Sequence, residues 1–484
     1  MLQHWCDIDE AIHISQVDEE YKEKAGLSFN KRLIESLAEI KAQNAKLFMD
    51  FFYYPRALVL GAIENIAYSR TKILDLELHD TRNSKVSTSN YKFKDSPVNW
   101  STWRQFNSLE KNDANRKELF DDFIEKSKYI SPIIEKRFLQ IREIYDEYGK
   151  YGKGDTVDPV SAYLEQENIS YEKLVEFLKS MGNTAKKPFL DALAEISKRV
   201  IGKEPEYYDD FYFFRNKVYS ALDSVFSSFE PLHDVKKILT NMEFDMKPIQ
   251  FDVEDRLNKY PSPICLFVKI PHDIRILYKR ESPYFDFQAC FHETGHAMHM
   301  SSVDANNMYW DKYQIPMGVA EIFSMFMEIV AKDSNYISSL VGQDNVRVNN
   351  QITTGSNFMD LFLVTFYVAN SLMKLQYWKE NLSVDETCTV YSGLIEEYTS
   401  FKIPGEYWLL HHILPEDIMY VPSYLLAAVR AAELKKYMMN RFGDHWWREK
   451  DSGQALREIM KPGGSIDLSI FSQLDRNVFF EGKI

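Results

Sequence analysis

The segment FDFQACFHETGHAMH (285–299) sets His292 and His296 four residues apart, with Glu293 directly after the first. On an α-helix that spacing puts both imidazoles on one face, one turn apart, where they can reach a single metal ion. Glu293 then stands beside the ion and can reach a water on the metal. Zinc lowers the pKa of such a water towards ~7, and a carboxylate in that place can take its proton. Phe287, Phe291 and Met298 line an apolar stripe next to the two histidines. Gly295, between the histidines, costs about 1 kcal/mol in a helix interior and points to close backbone packing there.

A hydrolytic zinc site takes a third protein ligand and leaves the fourth position open. The segment MGVAEIFSMFMEIVA (317–331) reads as a second helix, apolar except for Glu321, Ser324 and Glu328. A carboxylate in such a helix is costly to bury unless it is paired or bound to metal. Glu321 is assigned as the third ligand. Glu328, two turns on and on the same face, is assigned as the acceptor for a ligand imidazole N–H.

With these residues in view, HETGHAMH followed by VAEIFSMFMEIV resembles the M3 family of zinc metallopeptidases, the thimet oligopeptidase and oligoendopeptidase F group. Val319, Ala320, Glu321, Ser324 and Glu328 match the downstream pattern of the oligoendopeptidase F type. The resemblance covers roughly residues 285–331. It implies one Zn2+ per chain held by His292, His296 and Glu321, with Glu293 as general base. It also implies a two-lobed helical fold with a deep channel that admits short peptides.

Attack on a peptide carbonyl builds charge on its oxygen, and a hydrogen-bond donor is needed there. Tyr420 and Tyr424 are candidates, four residues apart where Pro422 suits the first turn of a helix. The resemblance implies two tyrosines and a histidine in this role. His412 is the candidate histidine, with His411 beside it, and Asp417 or a neighbour stands where the family has its histidine. His299, one turn beyond His296, can support the site or simply pack.

The elements that must position these groups are mostly helices. Residues 28–50 read as one helix, with Pro55 bending or ending it. A polar stretch at 79–115 reads as irregular, and 116–149 as two helices broken near Pro132. Gly152, Gly154 and Asp155 mark a loop, and a helix starts near Asn183-Thr184. ICLFVKI (264–270) and IRILYKR (274–280) form a hairpin-like pair of strands. IRILYKR is placed to accept substrate as an added strand, with Arg275 or Lys279 able to meet a peptide carboxylate. Helices follow at about 285–300, 317–332, 357–380 and 422–441.

The expected class is mostly α with one small sheet, in an N-terminal helical domain (1–250) and a catalytic zinc domain (251–484). A net charge of −14 argues against nucleic acid and against anionic membranes. The chain shows no secretory h-region and no run of ~18 apolar residues. Four cysteines without paired spacing fit a reducing compartment, the cytoplasm. The expected activity is hydrolysis of short peptides by an endopeptidase. A carboxypeptidase or dipeptidyl carboxypeptidase, and a non-catalytic peptide-binding scaffold, are the alternatives.

Overall fold

A computed structural model describes residues 2–51, 56–152, 157–256, 259–260, 262–280, 282–342, 345–471 and 474–484. Pro55, Gly154 and Asp155 lie outside the described residues. Helices dominate. In chain order they are α1 (Leu2–Lys24), α2 (Lys31–Phe51), α3 (Arg56–Lys85), α4 (Trp100–Leu109), α5 (Asp113–Lys126), α6 (Ser131–Tyr148) and α7 (Pro159–Gln166). There follow α8 (Tyr171–Val200), α9 (Ser220–Phe226), α10 (Pro231–Asn241), α11 (Pro283–Ser302), α12 (Tyr309–Tyr313) and α13 (Met317–Lys332). The last are α14 (Ser334–Val341), α15 (Val346–Glu380), α16 (Val384–Thr399), α17 (Tyr407–Leu410), α18 (Val421–Phe442), α19 (Lys450–Met460) and α20 (Arg476–Phe480). The strands are β1 (Ser87–Phe93), β2 (Ser96–Asn99), β3 (Ile249–Asp252), β4 (Ile264–Lys269) and β5 (Asp273–Leu277).

The chain divides into two compact units, and both are discontinuous. The first comprises 1–30, 219–359 and 423–484; the second comprises 31–218 and 360–422. The single boundary expected near residue 250 does not match this division. The change of texture near 262 marks the entry to a sheet, whereas the units are set by which helices pack together.

In the first unit, β5 lies between β3, which it meets in parallel, and β4, which it meets antiparallel. The β4–β5 pair is the hairpin expected from the sequence. β3 escaped notice because four residues carry too little periodicity. Along β5 the side chains alternate: Ile274 and Ile276 are fully buried, while Arg275 turns to α1 and bonds Asp18 at 2.7 Å. Tyr21, also on α1, donates to Asp252 of β3 at 3.0 Å. α11 packs on β4 and β5, and α13 runs along α11. Pro283 opens α11 at a position where a missing N–H costs nothing.

In the second unit, α3 packs on α2 and α6. The Trp100 indole donates to the Leu410 carbonyl at 2.9 Å, and buried Arg82 reaches the carbonyls of Leu409 and His411 at 3.3 and 3.1 Å. Trp103 is ringed by Phe120, Phe123, Phe211 and Tyr407. Two readings change here. The stretch 79–115 is ordered: α3 runs to Lys85, and β1–β2 form a hairpin turned at Lys94 and Asp95 with φ of 51° and 64°. Neither residue is the Asn or Gly that usually announces such a turn. No helix starts at Asn183, because α8 begins after Ser170, whose hydroxyl accepts from the Lys173 amide. Gly182 sits inside it for a packing reason, since a Cβ there would lie 2.5 Å from the Tyr398 ring of α16.

α15 is long and apolar enough to cross a membrane by composition, which the sequence reading did not register. However, 67% of its most apolar window is buried, as in a core helix.

Candidate metal centre

Two helices build the site. α11 carries His292, Glu293 and His296, and α13 carries Glu321 and Glu328. Their approach is unusually close at Gly295, where a Cβ would lie 2.1 Å from the Phe323 carbonyl oxygen and 2.5 Å from Ser324 Cα. Only a residue without a side chain lets the two backbones meet there, and that contact sets the carboxylates opposite the histidines.

One ligand atom from each of His292, His296 and Glu321 lies within 4.8 Å of the others. Glu321 is 1% exposed and faces both rings: its Oε2 is 3.5 Å from His292 Nε2 and its Oε1 is 3.5 Å from His296 Nε2. Ligand atoms ~2.0–2.2 Å from a tetrahedral ion stand about 3.3–3.6 Å from one another, so the observed separations suit zinc. The rings are 5.2 Å apart and nearly perpendicular.

The surroundings fix these groups. His292 Nδ1 donates to Glu328 Oε2 at 3.0 Å, which leaves the Nε2 lone pair turned towards Glu321. Lys332, one turn beyond Glu328, pairs with its other oxygen. Ser324 Oγ donates to Glu321 Oε2 at 2.7 Å. His296 Nδ1 meets no hydrogen-bond partner among the described residues, so Glu328 orients one imidazole only. The roles of Ser324 and Lys332 were not drawn from the sequence. Their signal was present in the i+3 and i+4 spacings from Glu321 and Glu328.

Three carboxylates around two imidazoles make this a place for positive charge. Burial lowers the His292 pKa, but Glu328, Glu321 and Glu293 outweigh it and bring it up to about 9. Burial pushes the Glu293 carboxyl up, against the pull of His292 and His296 and of the Cys265 amide. Glu328 is held well below the usual carboxylate range: burial raises it, and Lys332 and His292 overcome that effect. A divalent cation satisfies the same demand as a proton on His292, and the two nitrogens and one oxygen are a set that zinc accepts.

His299 is fully buried against Phe323, with its pKa brought down to about 3 by burial and by His296. It is a packing residue. Arg275 bonds both Asp18 and Asp273, so it is committed to holding α1 on the sheet rather than to a substrate carboxylate. β5 is the central strand, which corrects its assignment as the strand that accepts substrate. Among the described residues the edge strand near Glu293 is β4.

The tyrosine segment falls at the other unit's border. His412 and Tyr420 belong to the second unit, and Tyr424, in the first turn of α18, to the first. Within the second unit, Asp417 accepts from the amides of Tyr420 and Val421 at 2.9 and 3.4 Å and pairs with Lys374 at 2.9 Å. Asp417 is therefore an anchor for this loop. His411 Nδ1 accepts from the amides of Ile413 and Leu414, which commits that ring to the turn, and His412 stacks on it with centroids 4.5 Å apart. Burial, with Arg104 next in effect, pushes both imidazoles well below their ordinary pKa and keeps them neutral.

No family model and no curated protein matches the sequence. Solved structures do. One of PZ peptidase A with an inhibitor superposes with a TM-score of 0.60 at 14% identity, covering 99% of this chain and 86% of the other. An M32 carboxypeptidase from Deinococcus radiodurans R1 gives 0.60 at 13% identity, covering 100% and 98%. A putative oligoendopeptidase F gives 0.62 at 13% identity, covering 96% and 84%. At these identities the likeness is one of fold: the chain shares the mostly helical architecture, with its small sheets, of these peptidases.

Proposed function

We propose that the protein is a zinc-dependent peptidase acting on short peptides, with His292, His296 and Glu321 as ligands and Glu293 as general base. The observation that carries this reading is the meeting of three ligand atoms within 4.8 Å beside a buried Glu293. A zinc ion bound there supplies Lewis-acid polarisation of the scissile carbonyl and acidifies water. The chain's own residues do the rest. Glu293 takes a proton from the attacking water and returns it to the leaving amine, so no covalent intermediate is required. Glu328 keeps His292 in the tautomer that presents Nε2, and Ser324 holds the Glu321 carboxylate in place. Tyr420 and Tyr424 are the proposed hydrogen-bond donors to the developing oxyanion, with His412 as a further donor.

The endopeptidase mode follows from the resemblance to the oligoendopeptidase F type. A carboxypeptidase is the second reading, favoured by the equally good superposition on an M32 carboxypeptidase.

The test compares the unaltered protein with Glu293→Ala on quenched fluorescent peptides, with zinc content measured in both. The proposal expects internal cleavage by the former, and a loss of ~10²-fold or more in the latter with zinc retained. Equal rates in both, or no cleavage by a zinc-loaded protein, would sink it. Amidated C-termini separate the two modes: an endopeptidase tolerates the block, and a carboxypeptidase does not.

A further inference from the structure

The amide directions along the small sheet can be worked out from its hydrogen bonds. Ile274 N–H donates to the Pro248 carbonyl and Tyr278 N–H to the Asp252 carbonyl, so the even-numbered amides of β5 face β3. The odd-numbered ones, at Arg275 and Leu277, must face β4, where they sit opposite Leu266 and Ile264. In an antiparallel pair the intervening residues turn N–H and C=O outward. Those residues are Cys265 and Phe267, and β4 is an edge of the sheet. The Cys265 amide lies on the Glu293 carboxylate, which places this edge beside the general base. Beyond Phe267 the register is broken, and the chain turns back with His272 N–H on the Lys269 carbonyl.

Two outward groups of this edge are engaged by side chains, the Cys265 amide by Glu293 and the Phe267 carbonyl by a histidine. His13 of α1 places Nε2 2.8 Å from the Phe267 carbonyl oxygen, so Nε2 carries the proton and donates. The ring is held in place by Tyr313, 4.6 Å away. Tyr313 is itself fixed, donating to Glu10 at 2.7 Å and accepting from the Ile270 amide at 3.3 Å. An edge strand can bind an extended peptide through its free amides and carbonyls. Here the outward groups not engaged by those two side chains are the Cys265 carbonyl and the Phe267 amide, so the run ends at Phe267, about two residues or ~7 Å from Cys265.

We propose that His13 is a stop on a peptide-docking edge: by occupying the Phe267 carbonyl it limits how far an extended substrate backbone runs past Glu293 in that direction. This rests on the peptidase reading and assigns His13 as a length-determining residue of the same site. The bland alternative is that His13 only tethers α1 to the sheet. A tether would affect every substrate alike.

The experiment uses the full-length zinc-loaded protein carrying Glu293→Gln to suppress turnover. Affinities are measured by fluorescence anisotropy for a peptide core lengthened one residue at a time at either end. Affinity should stop rising after about two added residues at one end only. Adding His13→Phe, which keeps a ring against Tyr313 but removes the donor, should tighten the longer peptides of that end. The gain should be about fivefold, the worth of one recovered main-chain hydrogen bond, with the shortest peptides unchanged. His13→Gln keeps an N–H donor and should retain the original length profile. Affinity that climbs steadily at both ends, a His13→Phe effect equal at all lengths, or no peptide binding at all overturns the proposal. Turnover by the unaltered protein judges the peptidase reading separately, since peptides bound but never cut would sink that reading and leave the stop standing.

Discussion

Glu328 shows how much a residue outside the candidate ligand set can do to position that set. It accepts the Nδ1 proton of His292 and is itself held by Lys332, so the orientation of one ligand depends on a chain of two further side chains. Partners of this kind typically govern metal affinity by 10–100-fold. Glu328→Ala should therefore weaken zinc binding by about that factor while leaving all three ligands in place. Competition with a chromophoric chelator measures it, and an unchanged affinity would mean that packing alone orients His292. At this scale the sequence was most legible. His292, Glu293, His296, Glu321 and Glu328 all come together in the structure, because spacings of one and two helical turns translate directly into shared faces. His13 and Cys265 were not legible as parts of the site. Their relation to it passes through the backbone of β4 and a contact spanning 254 residues, and neither leaves a local pattern.

The pairing of α11 with α13 is the element on which the site's dimensions rest. Gly295 is its point of closest approach, and any side chain there meets backbone rather than a movable side-chain tip. Gly295→Ala should force the helices apart and destabilise the protein by about 3 kcal/mol or more, an overpacking effect at its upper range. Urea denaturation gives the loss of stability. Because the same displacement separates His292 and His296 from Glu321, zinc affinity should fall in parallel. A variant of unchanged stability and affinity would show that α11 and α13 can slide freely. The glycine was readable in the sequence as a sign of close packing, but its partner was not. The two nearest residues, Phe323 and Ser324, contribute backbone atoms, which are the same whatever the sequence. The hairpin at 87–99 and the uninterrupted α8 were missed for a related reason: Lys94-Asp95 and Gly182-Asn183 take conformations that their residue types only weakly favour, and tertiary packing decided both.

At the scale of the molecule, segments of the two units alternate along the chain. Part of the second unit's core arrives late in the chain: Phe362 stacks on Phe214 with ring centroids 3.9 Å apart, and Tyr407 stacks on Phe120 at 5.1 Å. Trp100 and Arg82 spend their hydrogen bonds on carbonyls at 409–411. A fragment of residues 1–250 therefore lacks the surfaces that bury its own aromatic side chains. It should show no cooperative thermal transition and should be cut rapidly by trypsin under conditions in which the whole protein resists. A cooperatively folding fragment would mean that 31–218 forms a core without 360–422. The helical class and the small sheet could be read from composition and periodicity, which are local. The division into units could not, because it depends on contacts between segments far apart in the chain.

The position of α1 across the sheet also bears on how the chain is made. His13 and Asp18 leave the ribosome about 250 residues ahead of Phe267 and Arg275, the groups they finally bond. At ~5–20 residues per second the delay is roughly 13–50 s. During that interval α1 has no sheet to lie on, while much of the second unit is already emerging. α1 is thus made well before the strands it docks on, and its docking completes both the face of the sheet and the stop at the end of β4.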